Sequence, residues 1–313
     1  MPVFNLHNEN LHFLNKKLIS WILFILLSLI WGSSFKLMKV GLISLSPYEV
    51  ATIRILTAGL LLLPFGIKEL YKLKRKEILQ CLYAALLGSF FAAYLFCVAE
   101  TKIDGSLAGM LNALTPFFTI LIGVIVFKAH FSIYKYFGIA IGFMGLCALF
   151  YAKGTVDVSN IAYSSLIVLA TILYGTNVQM VSRRAKNIPP LTIVAVGFTL
   201  LIIPCVLILF TIGYFHHPYT KLILLSTGAS AVLGIFGTAI TSILFYKLIH
   251  YAGSIFASMV TYAIPIVAMF WGLYDGEYIN VAQLAALGIV LIGVYIVNKK
   301  PASIKTKDIV EDE

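Results

Sequence analysis

Long apolar runs with few charges recur along this chain, each closed by Gly, Pro or charged residues. In order they cover residues 19–38, 46–65, 78–99, 106–127, 136–152, 161–181, 190–213, 222–247, 253–273 and 281–298. About 20 predominantly apolar residues cross a bilayer as a helix. In lipid, such a segment must satisfy its backbone groups within itself. The pattern predicts an all-α integral membrane protein with ten transmembrane helices, joined by loops too short to hold a soluble domain.

Composition sharpens this picture. The chain is 60% hydrophobic and 12% charged, with a mean hydropathy of +0.97, whereas soluble domains carry about 25% charged residues. The first run, preceded by Lys16 and Lys17, exceeds a signal-peptide core, and Trp31 and Phe35 stand where a cleavage site needs small residues. It reads as a retained helix following a cytoplasmic segment, 1–17. The four cysteines all fall inside apolar runs, so no loop disulfide framework is expected.

Charge then orients the spans. With both termini cytoplasmic, Lys36, Lys39, Lys102, Lys153 and Lys221 fall outside, Arg54 lies within a helix, and the remaining Lys and Arg all fall inside. That asymmetry follows the positive-inside rule, and a missed or extra helix would scramble it. The net charge of +10 is therefore mostly topology, with some attraction to anionic lipid. KLKRK at 72–76 reads as a basic cytoplasmic loop, so no nucleic-acid partner is implied, and the 299–313 tail ending DIVEDE reads as solvated.

The two halves carry matching signals. GSLAGMLNALTPFFTILIG (105–123) finds a counterpart in GSIFASMVTYAIPIVAMFWG (253–272), pairing Gly105 with Gly253, Pro116 with Pro265 and Gly123 with Gly272. Gly138 pairs with Ala286 and Gly145 with Gly293. Trp31-Gly32-Ser33-Ser34 pairs with Tyr174-Gly175-Thr176-Asn177. Five helices per unit is an odd number, so the second copy enters the membrane from the opposite face. Inverted repeats of this kind typify secondary transporters, whose substrate sites lie near the midplane between the halves.

This arrangement gives meaning to polar residues inside apolar helices. The aromatic-Gly-polar motifs suit close helix packing, either alone or together with lining a cavity. Pro116 cannot donate to the Asn112 carbonyl, nor Pro265 to that of Thr261. Each proline thus frees an acceptor near mid-membrane and marks a hinge or gating position; a hydroxyl from a neighbouring helix would heal the same gap. Arg54, two turns into its helix, is costly at that depth. It either snorkels outward, pairs with Glu100, or attracts an anionic group such as a carboxylate.

Gly138-x-x-x-Gly142 is a packing signal, within the bundle or at a homodimer face. Glu49 and Glu100 sit near outer helix ends. His216-His217 lacks further ligands at metal spacing, and no phosphate-binding loop, HExxH or GxSxG motif occurs. No cofactor or metal is expected, and no catalytic constellation emerges.

WGSSF with the following Lys39, Arg54, the paired segments carrying Pro116 and Pro265, and the Gly276-Glu277 step together resemble the EamA-type carriers of the drug/metabolite transporter superfamily. The resemblance spans about residues 18–298. It implies repeats at 18–152 and 153–298, alternating access, and a cavity lined by spans 1, 3, 4, 6, 8 and 9, with spans 5 and 10 as scaffold. The first repeat has Phe127-Lys128 where the second has Gly276-Glu277, so the acidic step occurs once. The expectation is a secondary carrier of a bacterial inner membrane, exporting amino acids or related small metabolites. Its substrate site would combine Trp31, Ser34, Arg54, Asn112, Tyr174, Asn177 and Tyr262. The competing readings are a membrane-embedded sensor or assembly protein, and a lipid-modifying enzyme.

Overall fold

The computed structural model describes residues 3–103, 105–153, 161–218, 220–274 and 280–298. The Gly276-Glu277 step, the 154–160 segment at the start of the expected second repeat and the 299–313 tail lie outside them. Helices run α1 Val3–Gly41, α2 Pro47–Leu70, α3 Arg75–Ala99, α4 Gly105–Asn112, α5 Thr115–Ile125, α6 Ile133–Lys153 and α7 Ile161–Arg183. They continue as α8 Pro190–Thr211, α9 Lys221–Ala252, α10 Ser254–Ser258, α11 Val260–Tyr274 and α12 Val281–Asn298. Among the described residues, seven helices are long and apolar enough to cross a membrane. Three shorter apolar stretches join them, Ile133–Ala148, Ser254–Val267 and Val281–Val297.

Local chemistry sets several helix ends. Ser46 caps α2: its hydroxyl accepts from the Glu49 N–H at 3.3 Å, and the Glu49 carboxylate accepts from the Ser46 N–H at 2.7 Å. Pro47 follows at the first turn, where its missing N–H costs nothing. At the chain start the helix begins at Val3 and runs unbroken into the first apolar span, so no separate element marks residues 3–17.

Irregularities recur at matching places in the two halves. Near its middle α3 widens into a π turn at Leu86–Phe90, and α9 does so at Ile235–Ile240. After each of these helices comes one that is broken: α4 yields to α5 at Ala113-Leu114, and α10 to α11 at Met259. The 106–127 and 253–273 runs are thus interrupted helices, not single ones. Pro116 lies in the first turn of α5, and the Thr115 hydroxyl takes over the Asn112 carbonyl at 2.6 Å. Pro265 lies inside α11, well past the break.

Helix contacts come in matched sets. α1 packs against α11 and α9, while α7 packs against α5 and α3; α2 meets α9 as α8 meets α3. Two pairings match themselves, α2 with α8 and α6 with α12. At the α6–α12 crossing a Cβ on Gly293 would lie 2.5 Å from the Gly142 nitrogen, so the backbones touch directly. Gly138 is occupied by Val297 in the same seam. The Gly138–Gly142 signal is used inside the fold, and a homodimer must employ another face.

Gly293→Val forces side-chain atoms into a backbone, and overpacking of this kind costs about 1–3 kcal/mol. The expected result is a lower thermal midpoint in detergent. A midpoint equal to that of the parent protein would show that the seam tolerates separation.

Candidate functional site

Polar and aromatic side chains converge between the halves around a cavity of about 790 Å³ of empty space, its open mouth included. Among the described residues, those lining the cavity come from α1, α2, α3, α4, α5, α7, α9 and α11, and none from α6 or α12. The spans expected to line it all contribute, and α2 joins them through Arg54.

Two matched sets of contacts frame the cavity. On one side the Trp31 indole donates to the Gly237 carbonyl at 3.2 Å, in the π turn of α9. Its ring meets Phe245 at 5.1 Å between centroids. On the other side the Asn177 amide donates to the Ala84 carbonyl at 2.8 Å, just ahead of the π turn of α3, and Tyr174 meets Phe96 at 6.1 Å. The motif glycines seat these helices on the broken ones: a Cβ on Gly32 would lie 2.5 Å from Cβ of Val267, and one on Gly175 would lie 2.9 Å from the backbone of Phe118 and Thr119. Each aromatic-Gly-polar motif therefore docks on structures of the opposite half. Close packing and cavity lining are both achieved by the same residues.

Arg54 breaks the correspondence. Its Nε donates to the Thr238 hydroxyl at 2.6 Å, across to the π turn of α9, while its terminal guanidinium nitrogens carry no hydrogen bond among the described residues. Gly197 of α8 instead seats against α3, where an added Cβ would lie 2.6 Å from the Cys81 carbonyl oxygen. Asn112 and Ser34 also reach the cavity; the Ser34 hydroxyl donates back to the Ile30 carbonyl at 2.8 Å. Among the described residues the cavity has one cation on its wall and no acidic lining residue. It offers a fork for an anionic group, amide and hydroxyl groups for polar substituents, and aromatic faces for a flat or apolar portion.

Tyr262 stands apart from the other nominated residues. It is wholly buried, its ring occupies the space left by Gly142, and its hydroxyl donates to the Ile139 carbonyl at 3.2 Å. The cavity meets its neighbour Thr261 instead. Of the two prolines, neither lines the cavity, but Thr115 beside Pro116 does. Residues missed from the sequence include Ser89, Phe96, Thr238, Phe245 and Tyr246. A signal for them exists: Gly88-Ser89 and Gly237-Thr238 repeat between the halves, and Phe96 and Phe245 follow at equal spacing.

Two buried glutamates lie at helix ends, Glu49 in the first turn of α2 and Glu100 just after α3. Glu49 has both oxygens engaged, one by the Ser46 N–H and the other by His217 Nε2 at 2.6 Å. Glu100, just beyond the end of α3, is 2% exposed, and neither carboxylate oxygen has a hydrogen-bond partner among the described residues.

The chain shares its architecture with a solved crystal structure at a TM-score of 0.65 and 14% identity, covering 90% of this chain and 96% of the other. An uncharacterized transporter of Archaeoglobus fulgidus is 24% identical, over 90% of this chain and 99% of its own length. The inner membrane transporter YedA of Escherichia coli is 28% identical, over 87% and 88%. An S-adenosylmethionine/S-adenosylhomocysteine transporter of Chlamydia muridarum is 25% identical, over 84% and 86%. The EamA-like transporter family matches residues 18–151 and again residues 162–299; the chain belongs to this family.

Proposed function

We propose that the protein is a secondary carrier, not an enzyme, exporting amino acids or related small metabolites across a bacterial inner membrane. The observation that carries this reading is the Arg54 fork in a cavity walled by matched elements of both halves. A single cationic group with free donors, set among amides and aromatic rings, suits a carboxylate-bearing metabolite with an apolar or planar portion. The relative that moves S-adenosylmethionine and S-adenosylhomocysteine supports this class, since both compounds combine an amino-acid head with a purine.

Ten spans in two inverted repeats, 18–152 and 153–298, would rock about the cavity, with both termini cytoplasmic. The paired helix contacts, paired π turns and paired helix breaks support that symmetry, and the two family matches agree with it. Transport by alternating access follows from such a pair of halves. Trp31, Ser34, Arg54, Asn112, Tyr174 and Asn177 form the binding set, while the breaks preceding Pro116 and Pro265 act as hinges.

The test is flux from proteoliposomes of pure protein loaded with mixed amino acids and nucleoside-linked amino acids, followed by mass spectrometry. Selective release of carboxylate-bearing compounds is expected. Release of none, or release indifferent to charge, would overturn this assignment.

A further inference from the structure

Glu100 is the one buried carboxylate among the described residues with both oxygens unpartnered. A buried charge normally pairs or gives up its ionisation. The adjacent cation does not relieve it: Lys39 of α1 spends its ammonium on the backbone carbonyls of Glu100 and Ile103, at 2.9 and 3.2 Å. Arg54 of α2 is turned to Thr238. The residue lies one turn beyond Phe96, a cavity wall residue, and directly follows the end of α3.

The charged and titratable groups acting around it are Lys39 from α1, Arg54 from α2, Cys97 from α3 and, behind Arg54, Tyr174 from α7. Asp104 lies outside the described residues. We propose that Glu100 is the protonation site of the carrier, linked to the cavity by the charge of Arg54. Proton binding converts the carboxylate to the neutral acid and breaks no other bond. Burial drives its carboxyl up to about 8, against the opposing pull of Lys39 and Arg54, whereas an ordinary glutamate titrates near about 4.3.

The linkage has a definite sign. An anionic group on Arg54 offsets the positive charge that favours ionised Glu100, so it promotes proton uptake. By reciprocity, a protonated Glu100 strengthens anion binding. Proton and anionic group thus bind together and move in the same direction. This rests on the carrier reading above.

Infrared difference spectra of purified protein in lipid nanodiscs, stepped from neutral to alkaline pH, read the carboxylic-acid band directly and need no substrate. The band is expected to fade through this range in the parent protein and to be missing in Glu100→Gln. In Arg54→Gln it should persist to higher pH, because a stabilising cation is gone. If Glu100→Gln does not fold, the Arg54→Gln displacement decides alone. A band unchanged in Glu100→Gln, unmoved in Arg54→Gln, or lost together with the surface carboxylates would overturn the proposal. Flux is scored separately: a correct titration without metabolite flux keeps the proton site and discards the carrier reading.

Discussion

Replacing Arg54 with Gln should cut flux of carboxylate-bearing compounds roughly 10- to 100-fold while leaving the protein folded. Hydrogen bonds to charged groups contribute about 1.5–3 kcal/mol, which sets that range. Gln keeps an amide able to engage Thr238, so the π turn of α9 retains a partner. What disappears is the guanidinium fork, whose terminal nitrogens make no hydrogen bond among the described residues. Arg54→Lys should recover only part of the flux, since a point charge lacks the planar two-pronged geometry. Vesicle flux for a carboxylate and for its neutral amide measures the effect. Equal loss for both compounds would assign Arg54 to holding the halves together, not to recognition.

Gly175→Val is expected to remove transport and lower stability at once. The missing Cβ would sit 2.9 Å from backbone atoms of Phe118 and Thr119, and a backbone cannot swing aside as a side-chain tip does. Overpacking usually costs about 1–3 kcal/mol; here it also pushes α7 off α5, next to the break that serves as a hinge. Gly228→Val is the matched control, because a Cβ there meets nothing within 4 Å. A thermal midpoint and a flux rate for each variant suffice. Parent-like behaviour of Gly175→Val would show that the motif glycine is not a seat.

Much of the architecture was legible because hydropathy and charge act locally. Apolar runs became helices, and their repeated punctuation predicted paired features. Six of the seven residues nominated for the site face the cavity, because Trp31, Ser34, Tyr174 and Asn177 belong to one repeated motif and Arg54 and Asn112 are polar where polarity is costly. Tyr262 differs for a physical reason. The room for its ring is created by Gly142, more than a hundred positions earlier, and no local pattern encodes that relation. The π turns were hidden for a similar reason, since the Gly237 carbonyl is satisfied by Trp31 and the Ala84 carbonyl by Asn177 only once the halves meet. Pro116 pointed to a gap in the helix, but the hydroxyl that closes it is the neighbouring Thr115, a local fact open to inspection from the start.

The glycine seam between α6 and α12 also bears on biosynthesis. α6 leaves the ribosome with Gly138 and Gly142 uncovered, and α7, α8, α9 and the α10–α11 pair must all be inserted before Gly293 arrives. During that interval the nascent chain presents a bare backbone groove to the bilayer. Another nascent copy offers an α12 of its own to fill it, and exchange of this kind is a recognised failure of repeat proteins. The seam that is closed in the finished molecule is thus open while the chain is being made.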